Sequence, residues 1–250
     1  MNITALNRIT GNVAKRPFAV FDIDGTLIRW QLYHVLVDKL ASAGMLGKDA
    51  KERLRTSRMV WKRREHPESF KQYEQALIRV YEEALQTVST EAFDRLVLGV
   101  IDEYKDQTYA YSRDLLKSLK EQGYVTLIIS GSHHELIEQI ATYYGFDDFI
   151  GTRYERRGAG FSGNKQVASH DKRAALRAMV EKHKLSYASS VAIGDSASDI
   201  PMLELVERPI AFNPDRALFE AASQHGWKIV IERKNMVYEL EPKDGSYHLV

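Results

Sequence analysis

The chain has 250 residues, 44% hydrophobic and 28% charged, and its 35 basic and 34 acidic side chains leave a net charge of +1. That balance fits an ordinary globular protein, either one large core with a sizeable insertion or two unequal domains. It excludes fibrous and disordered classes and gives no global reason to expect nucleic acid or a membrane as partner. With no cysteine, disulfides, thiolate zinc sites and cysteine nucleophiles are excluded, so any metal must be held by oxygen or imidazole.

The opening MNITALNRITGNVAKR lacks the continuous apolar core of a secretory signal. No later run approaches the roughly eighteen apolar residues of a membrane span, so a cytoplasmic location without stable membrane association is expected. The first strand is predicted at Phe18–Phe21, and it runs directly into Asp22-Ile23-Asp24-Gly25-Thr26. From there to Arg113 no convincing strand occurs. LYHVLVDKLASAGML, FKQYEQALIRVYEEALQ and TEAFDRLVLGVIDEYKDQ all repeat apolar residues at three- and four-residue spacing. A helical insertion of roughly eighty residues is too long for a simple crossover. It is predicted to be a cap, 31–108, over a core formed by 1–30 and 109–250. Lys48 to Arg64 holds eight basic and two acidic residues, a net +6, which reads as a solvated helix face or as a surface that attracts an anionic substrate. The aromatics Trp30, Tyr33, Trp61, Phe70 and Tyr73 read as cap core or as its inner lining.

Beyond the insertion, a helix over Arg113–Gln122 stops at Gly123, a strand follows at Val125–Ser130, and a helix over Glu135–Tyr144 stops at Gly145. RYERRGAGFSGNKQ, Arg153 to Gln166, reads as a hairpin or an irregular loop. A helix is predicted over Lys172–His183, with strands at Val191–Ile193, Pro209–Phe212 and Lys228–Ile231. This alternation specifies an α/β protein with a parallel sheet.

Ligands of such sheets bind in the crevice beyond the carboxyl ends of the strands, where Asp22 falls. A second apolar strand, in VAIGDSASDIPML, ends at Gly194 and Asp195, with Asp199 four residues later. If the two strands are neighbours, three or four carboxylates converge at one sheet edge. Like charges that close repel and raise one another's pKa unless a cation sits among them. Hard oxygen donors favour Mg²⁺, which takes one or two carboxylates, several waters and a substrate phosphate. Aspartate before glycine is also a common turn former, and Asp199 before Ile200-Pro201 fits a helix cap. Two strand-terminal aspartate clusters in one chain favour the site reading.

DIDGT, the serine ending VTLIIS, a lysine opening a later helix and GDSASD occur in the order and strand-end positions of the haloacid dehalogenase-like hydrolase superfamily. The chain resembles that superfamily over most of its length outside the insertion. A helical insertion between the first motif and the serine resembles the branch that contains phosphoserine phosphatase. The resemblance implies a Rossmann-like three-layer parallel-sheet core with an inserted all-α cap, and Mg²⁺-dependent hydrolysis of a small phosphate ester through an aspartyl phosphate. Residue by residue, it implies Asp22 as nucleophile and metal ligand. Asp24 would be acid and then base, lending the metal its backbone carbonyl. Thr26, Ser130, Gly131 and Ser132 would surround the phosphoryl group, and Lys172 would balance its charge, with Lys165 as the competing lysine. Asp195 would bind Mg²⁺ directly, and Asp199 would hold it through water or fix a neighbouring group.

Two departures bear on substrate. Gln31 stands where phosphoserine phosphatases place a glutamate for the substrate ammonium, and SGSHH replaces a serine followed by two glycines. His133 and His134 read as substrate-facing or as surface or capping residues. Phosphotransfer to an acceptor other than water is a second enzyme reading. A non-catalytic binding protein on the same fold is a third, and its mark would be a lost aspartate; none is lost.

Overall fold

A computed structural model describes residues 15–47, 49–66 and 68–250. The opening stretch through Ala14, read above for a signal, and Lys48 at the head of the basic run lie outside the described residues. Among the described residues no helix is long and apolar enough to cross a membrane.

The first strand, β1 (Pro17–Phe21), is buried on both faces: Phe18 and Val20 enter one core cluster, Ala19 and Phe21 the other. This follows from the two-residue period of a strand and marks the centre of a parallel sheet. Helices α1 (Leu32–Ser42), α2 (Ala50–Lys62), α3 (Ser69–Leu85) and α4 (Thr90–Tyr104) form the insertion. The chain then returns through α5 (Ala110–Glu121), β2 (Val125–His133), α6 (His134–Tyr144), β3 (Asp148–Arg157) and β4 (Gly160–Gln166). It closes with α7 (Lys172–Lys182), β5 (Ser186–Gly194), α8 (Ile200–Leu203), β6 (Arg208–Phe212), α9 (Arg216–His225), β7 (Lys228–Arg233), β8 (Met236–Lys243) and β9 (Ser246–Leu249). Among the described residues nine strands form one sheet, in the order β4-β3-β2-β1-β5-β6-β7-β8-β9. Six of these, from β3 to β7 across the centre, run parallel in the doubly wound Rossmann order. Leu116, Ile137 and Ile140 of α5 and α6 cover one face; Leu176, Met202 and Leu218 of α7, α8 and α9 cover the other. Three layers result, with the all-α insertion continuing the first.

The insertion is fastened by the β3–β4 hairpin rather than left as a loose appendage. Phe161 packs edge-on against Phe93 at 5.2 Å, and Thr90 N donates to the Ala159 carbonyl at 2.8 Å. The Arg156 guanidinium donates to both Asp94 carboxylate oxygens and to Glu135. Lys165 pairs with Glu82 of α3, so it serves this fastening and lies off the carboxylate cluster. The basic run lies on α2, where only Ala50 and Leu54 are buried and Arg53 and Arg58 pair with Glu83 and Asp38. Trp61 stacks on Tyr73 and Tyr33 meets Tyr81, so these aromatics form the insertion's core, whereas Trp30 is half exposed.

Three differences from the sequence expectations have local causes. β2 runs three residues past Ser130 to His133. The Arg153–Gln166 segment is the hairpin alternative, with β3 beginning earlier, at Asp148, in a stretch without an apolar run. The β8–β9 hairpin was not anticipated, because Met236, Val237, Tyr238 and Leu249 are exposed and no buried face imposes a pattern. Its turn, Asp244-Gly245, has positive φ at both residues and is the signal that could have found it.

A buried carboxylate ties the two halves of the core. Glu232 of β7 accepts from Arg29 Nη2 at 2.8 Å and from the first two amides of α5, Ala110 N and Tyr111 N, at 3.1 and 2.9 Å. Those amides have no partner within the helix. Glu232→Ala is expected to cost about 2 kcal/mol, read as a lower urea midpoint at unchanged slope. An unchanged midpoint would mean that the α5 terminus is solvated without cost.

Candidate active site

The end of β1 is shaped by a tight turn in which the Thr26, Leu27 and Ile28 amides all donate to the Ile23 carbonyl. Gly25 has φ +80°, and a Cβ there would collide with the Asp195 carboxylate, so only glycine fits. The turn leaves Asp22 at the strand end and sends Asp24 sideways. Asp24 Oδ1 accepts from Leu32 N, the first amide of α1, at 2.6 Å, and Oδ2 accepts from Ser130 Oγ at 3.1 Å. Ser130 Oγ in turn accepts from Ser132 N at 3.0 Å.

β5 lies beside β1, with Asp22 N donating to the Ile193 carbonyl at 3.0 Å, so the two strand ends meet at the switch point of the sheet. Asp22, Asp195 and Asp199 each bring an oxygen within 4.8 Å of the others. Lys172, the first residue of α7, is fully buried and donates to Asp22 Oδ1 at 2.8 Å and Asp199 Oδ1 at 2.6 Å. Asp199 Oδ2 accepts from the amides of Asp195 and Ser196 and from the Ser196 hydroxyl. Gly194 leaves the room for this carboxylate, since a Cβ there would fall on the Asp199 side chain. The Asp195 loop is held from the other side by Asp215, which donates its amide to the Asp195 carbonyl, accepts from Ala197 N and caps α9.

The electrostatics follow from burial of four carboxylates around one ammonium. Burial pushes Asp22 up to about 7, against the pull of Lys172 and with the repulsion of Asp199 and Asp24. Burial raises Asp24, opposed by hydrogen bonds from Ser132, Leu32 and Ser130. Asp195 is raised well above its ordinary value by burial and by the charges of Asp22 and Asp199. Burial works against the charge of Lys172, but its two carboxylate partners outweigh it and hold the ammonium protonated. A compact set of hard oxygens with more negative charge than one lysine can balance fits a divalent cation such as Mg²⁺.

Six predicted residues thus meet: Asp22, Asp24, Ser130, Lys172, Asp195 and Asp199. Thr26 adjoins them, with a buried hydroxyl that makes no hydrogen bond. Gly131 is exposed at the rim, and Ser132 is buried beside Asp24. The histidines point away. The His133 ring is buried, stacked on Tyr154 at 4.9 Å, with Nδ1 2.5 Å from Glu135 Oε2. His134 Nε2 pairs with Arg153 at 2.8 Å. From sequence Gly194 reads only as a strand end and Asp215 is not singled out, although its place ahead of the helix at Arg216 marks it as a cap.

A doubly wound sheet with paired acids at its switch point defines an α/β enzyme whose chemistry sits at the β1 and β5 ends. The model of the haloacid dehalogenase-like hydrolases matches residues 19–204, and the chain belongs to that family. It is 26% identical over 227 residues to a histidinol-phosphatase of Neisseria meningitidis serogroup C, covering 86% of this chain and 98% of that protein. It is 27% identical over 243 residues to a phosphoserine phosphatase of Lactococcus lactis, covering 92% and 96%. A solved structure of a phospho-aspartyl intermediate analogue of phosphoserine phosphatase shares the fold, with a TM-score of 0.62, 20% identity and coverage of 88% of this chain and 95% of that one.

The packing at Gly194 gives a direct check of the site's rigidity. Gly194→Ala is expected to lose about 2 kcal/mol of stability by thermal unfolding, because the Asp199 carboxylate that anchors Lys172 must move. An unaltered melting curve would show that this corner of the site is pliable.

Proposed function

We propose that the protein is a Mg²⁺-dependent phosphomonoesterase acting on a small phosphorylated metabolite in the cytoplasm, with a cap domain, 31–108, over a core of 1–30 and 109–250. The observation that carries this reading is the Lys172 bridge between Asp22 and Asp199 with Asp195 alongside. It supplies a nucleophile, a fixed cation and a surplus of oxygen donors in one crevice. The relatives named as phosphatases of phosphoserine and of histidinol phosphate support a small phosphate ester as substrate.

Asp22 and Asp195, with the Asp24 backbone carbonyl, would hold Mg²⁺, which supplies charge neutralisation for a phosphoryl group. Asp199, whose oxygens are already engaged, would act by holding Lys172 and the Asp195 loop. An Asp22 carboxylate oxygen attacks phosphorus, the bond from phosphorus to the ester oxygen breaks, and that oxygen takes a proton from Asp24. Burial favours the protonated Asp24 that this step needs. Asp24, now ionised, takes a proton from water as the water oxygen attacks phosphorus; the bond to Asp22 breaks and phosphate leaves. Lys172 balances the charge on Asp22 and the phosphoryl oxygens, while the Thr26 hydroxyl and the Gly131 amide supply donors, and Ser130 and Ser132, already bonded to Asp24 and to one another, would join them only by giving up those bonds.

Asp22→Asn is expected to reduce p-nitrophenyl phosphate hydrolysis by at least about a thousandfold with an unchanged circular dichroism spectrum. Turnover at the wild-type rate in that variant would rule out the mechanism. EDTA is expected to silence the wild-type protein and added Mg²⁺ to restore it; chelator-resistant turnover would remove the metal from the scheme.

A further inference from the structure

Two histidines stand just beyond Ser130, and one of them is placed to act on it. His134 turns to the rim, where Nε2 meets Arg153 at 2.8 Å, whereas His133 turns inward. Between the pairs Ile129–Ile150 and His133–Thr152 the register of β2 on β3 breaks, so that Ser130, Gly131 and Ser132 lie opposite Gly151 alone. Gly151 makes the room for this irregular stretch, since a Cβ there would come within 2.8 Å of His134 Cα and 3.1 Å of the Ser132 carbonyl. Ser132 N donates to Ser130 Oγ at 3.0 Å, and Thr152 Oγ1 donates to the Gly131 carbonyl at 2.7 Å. The stretch thereby delivers the Ser130 hydroxyl to Asp24 Oδ2 at 3.1 Å. Residues outside the regular ladder are aimed by whatever fixes the two ends of the break. At the far end that residue is His133.

The fully buried His133 ring lies parallel to Tyr154 of β3 at 4.9 Å and against Phe93 of α4 at 4.6 Å, with Tyr81 of α3 edge-on at 6.1 Å. Nδ1 stands 2.5 Å from Glu135 Oε2, and Glu135 is held in turn by Arg156, which also takes both carboxylate oxygens of Asp94 on α4. Nε2 meets no protein partner. A phenyl ring would fill this aromatic slot without burying an unpaired nitrogen, so packing alone does not account for a histidine. Stacking leaves a ring free to slide in its own plane; the contact of Nδ1 with Glu135 stops that motion. We propose that His133 is a positioning residue for the acid–base step: with Glu135 it fixes the 130–132 stretch so that the Ser130 hydroxyl stays on Asp24 and keeps that carboxyl aimed at the leaving oxygen. The assignment rests on the phosphatase reading above. It also makes the insertion, through Phe93, Tyr81 and Asp94, part of what holds Asp24 in place.

The test measures kcat/KM for p-nitrophenyl phosphate and for unsubstituted phenyl phosphate. Phenolate is the poorer leaving group, so its departure depends more on a well-placed acid. His133→Phe keeps the stacked ring and removes the Nδ1 contact. It is expected to lower kcat/KM about thirtyfold for phenyl phosphate and about threefold for p-nitrophenyl phosphate, a gap about tenfold wider than in the wild type. Glu135→Gln, which leaves the His133 ring in its slot, is expected to widen the gap in the same sense by about three- to fivefold, and the double variant no further than His133→Phe alone, because both act through one contact. An equal loss for the two esters marks a merely structural role and overturns the assignment, as do rates unchanged by either substitution. Where circular dichroism shows that His133→Phe does not fold, Glu135→Gln decides alone. Wild-type turnover of both esters with the gap unmoved in the variants removes only His133 from the scheme; a wild-type protein that hydrolyses neither ester sinks the phosphatase reading with it.

Discussion

The ion pairs of Lys172 with Asp22 and Asp199 are the constraint on which the rest of the site depends. They join residues 150 and 27 positions apart and fix the start of α7 against the ends of β1 and β5. Each of these charges has been taken out of water, which is costly unless partners replace the lost solvation. One ammonium serves two carboxylates, and Asp24 and Asp195 add two more beside them. At an effective dielectric near 20, two like charges about 4 Å apart still repel by about 4 kcal/mol. The cluster is thus built short of positive charge, and its natural complement is a divalent cation together with a transferable group. Gly25 and Gly194 are the backbone side of the same constraint, because each is glycine where a methyl group would displace one of these carboxylates.

Asp24 couples this centre to the helical insertion. One of its oxygens takes the first amide of α1, and the other takes the hydroxyl of Ser130 at the end of β2. The residue proposed above to move a proton is therefore also the one on which the insertion's entry helix is seated. A shift of α1 changes the hydrogen bonding of Asp24 directly, without passing through the sheet. The second fastening, from the β3–β4 hairpin through Arg156 and Lys165, limits how far the insertion can move. Glu135 shows how firmly that side is set: despite its burial, His133 and Arg156 hold its carboxyl down at about 2.

Much of this was legible in the amino-acid order because the core residues obey short-range rules. The central strands are buried on both faces and read as apolar runs, and Asp22 and Asp195 stand where two such runs end. Lys172 was harder to single out, since a lysine in the first turn of a helix is ordinarily solvated, and only the packing of α7 against the sheet distinguishes it from Lys165. The histidines after Ser130 were left between two readings for a similar reason. Whether β2 stops at Ser130 or continues to His133 decides which way they point, and that is set by pairing with β3, where His133 lies opposite Thr152. The β8–β9 hairpin escaped because exposed strands carry no burial pattern.

The same logic explains why the reacting centre can be read from sequence while the selectivity cannot. Phosphoryl chemistry needs groups at the ends of neighbouring strands, and the order of a doubly wound sheet dictates which ends are neighbours. The surface that the insertion turns to the core is set instead by helices packed through side-chain contacts, and on α3 a rotation of a few tens of degrees would re-aim every side chain of its buried face. The direction of that face is fixed by Tyr73 against His34 and Tyr81 against Tyr33, contacts between residues some forty to fifty positions apart, which no short-range rule of the sequence reveals.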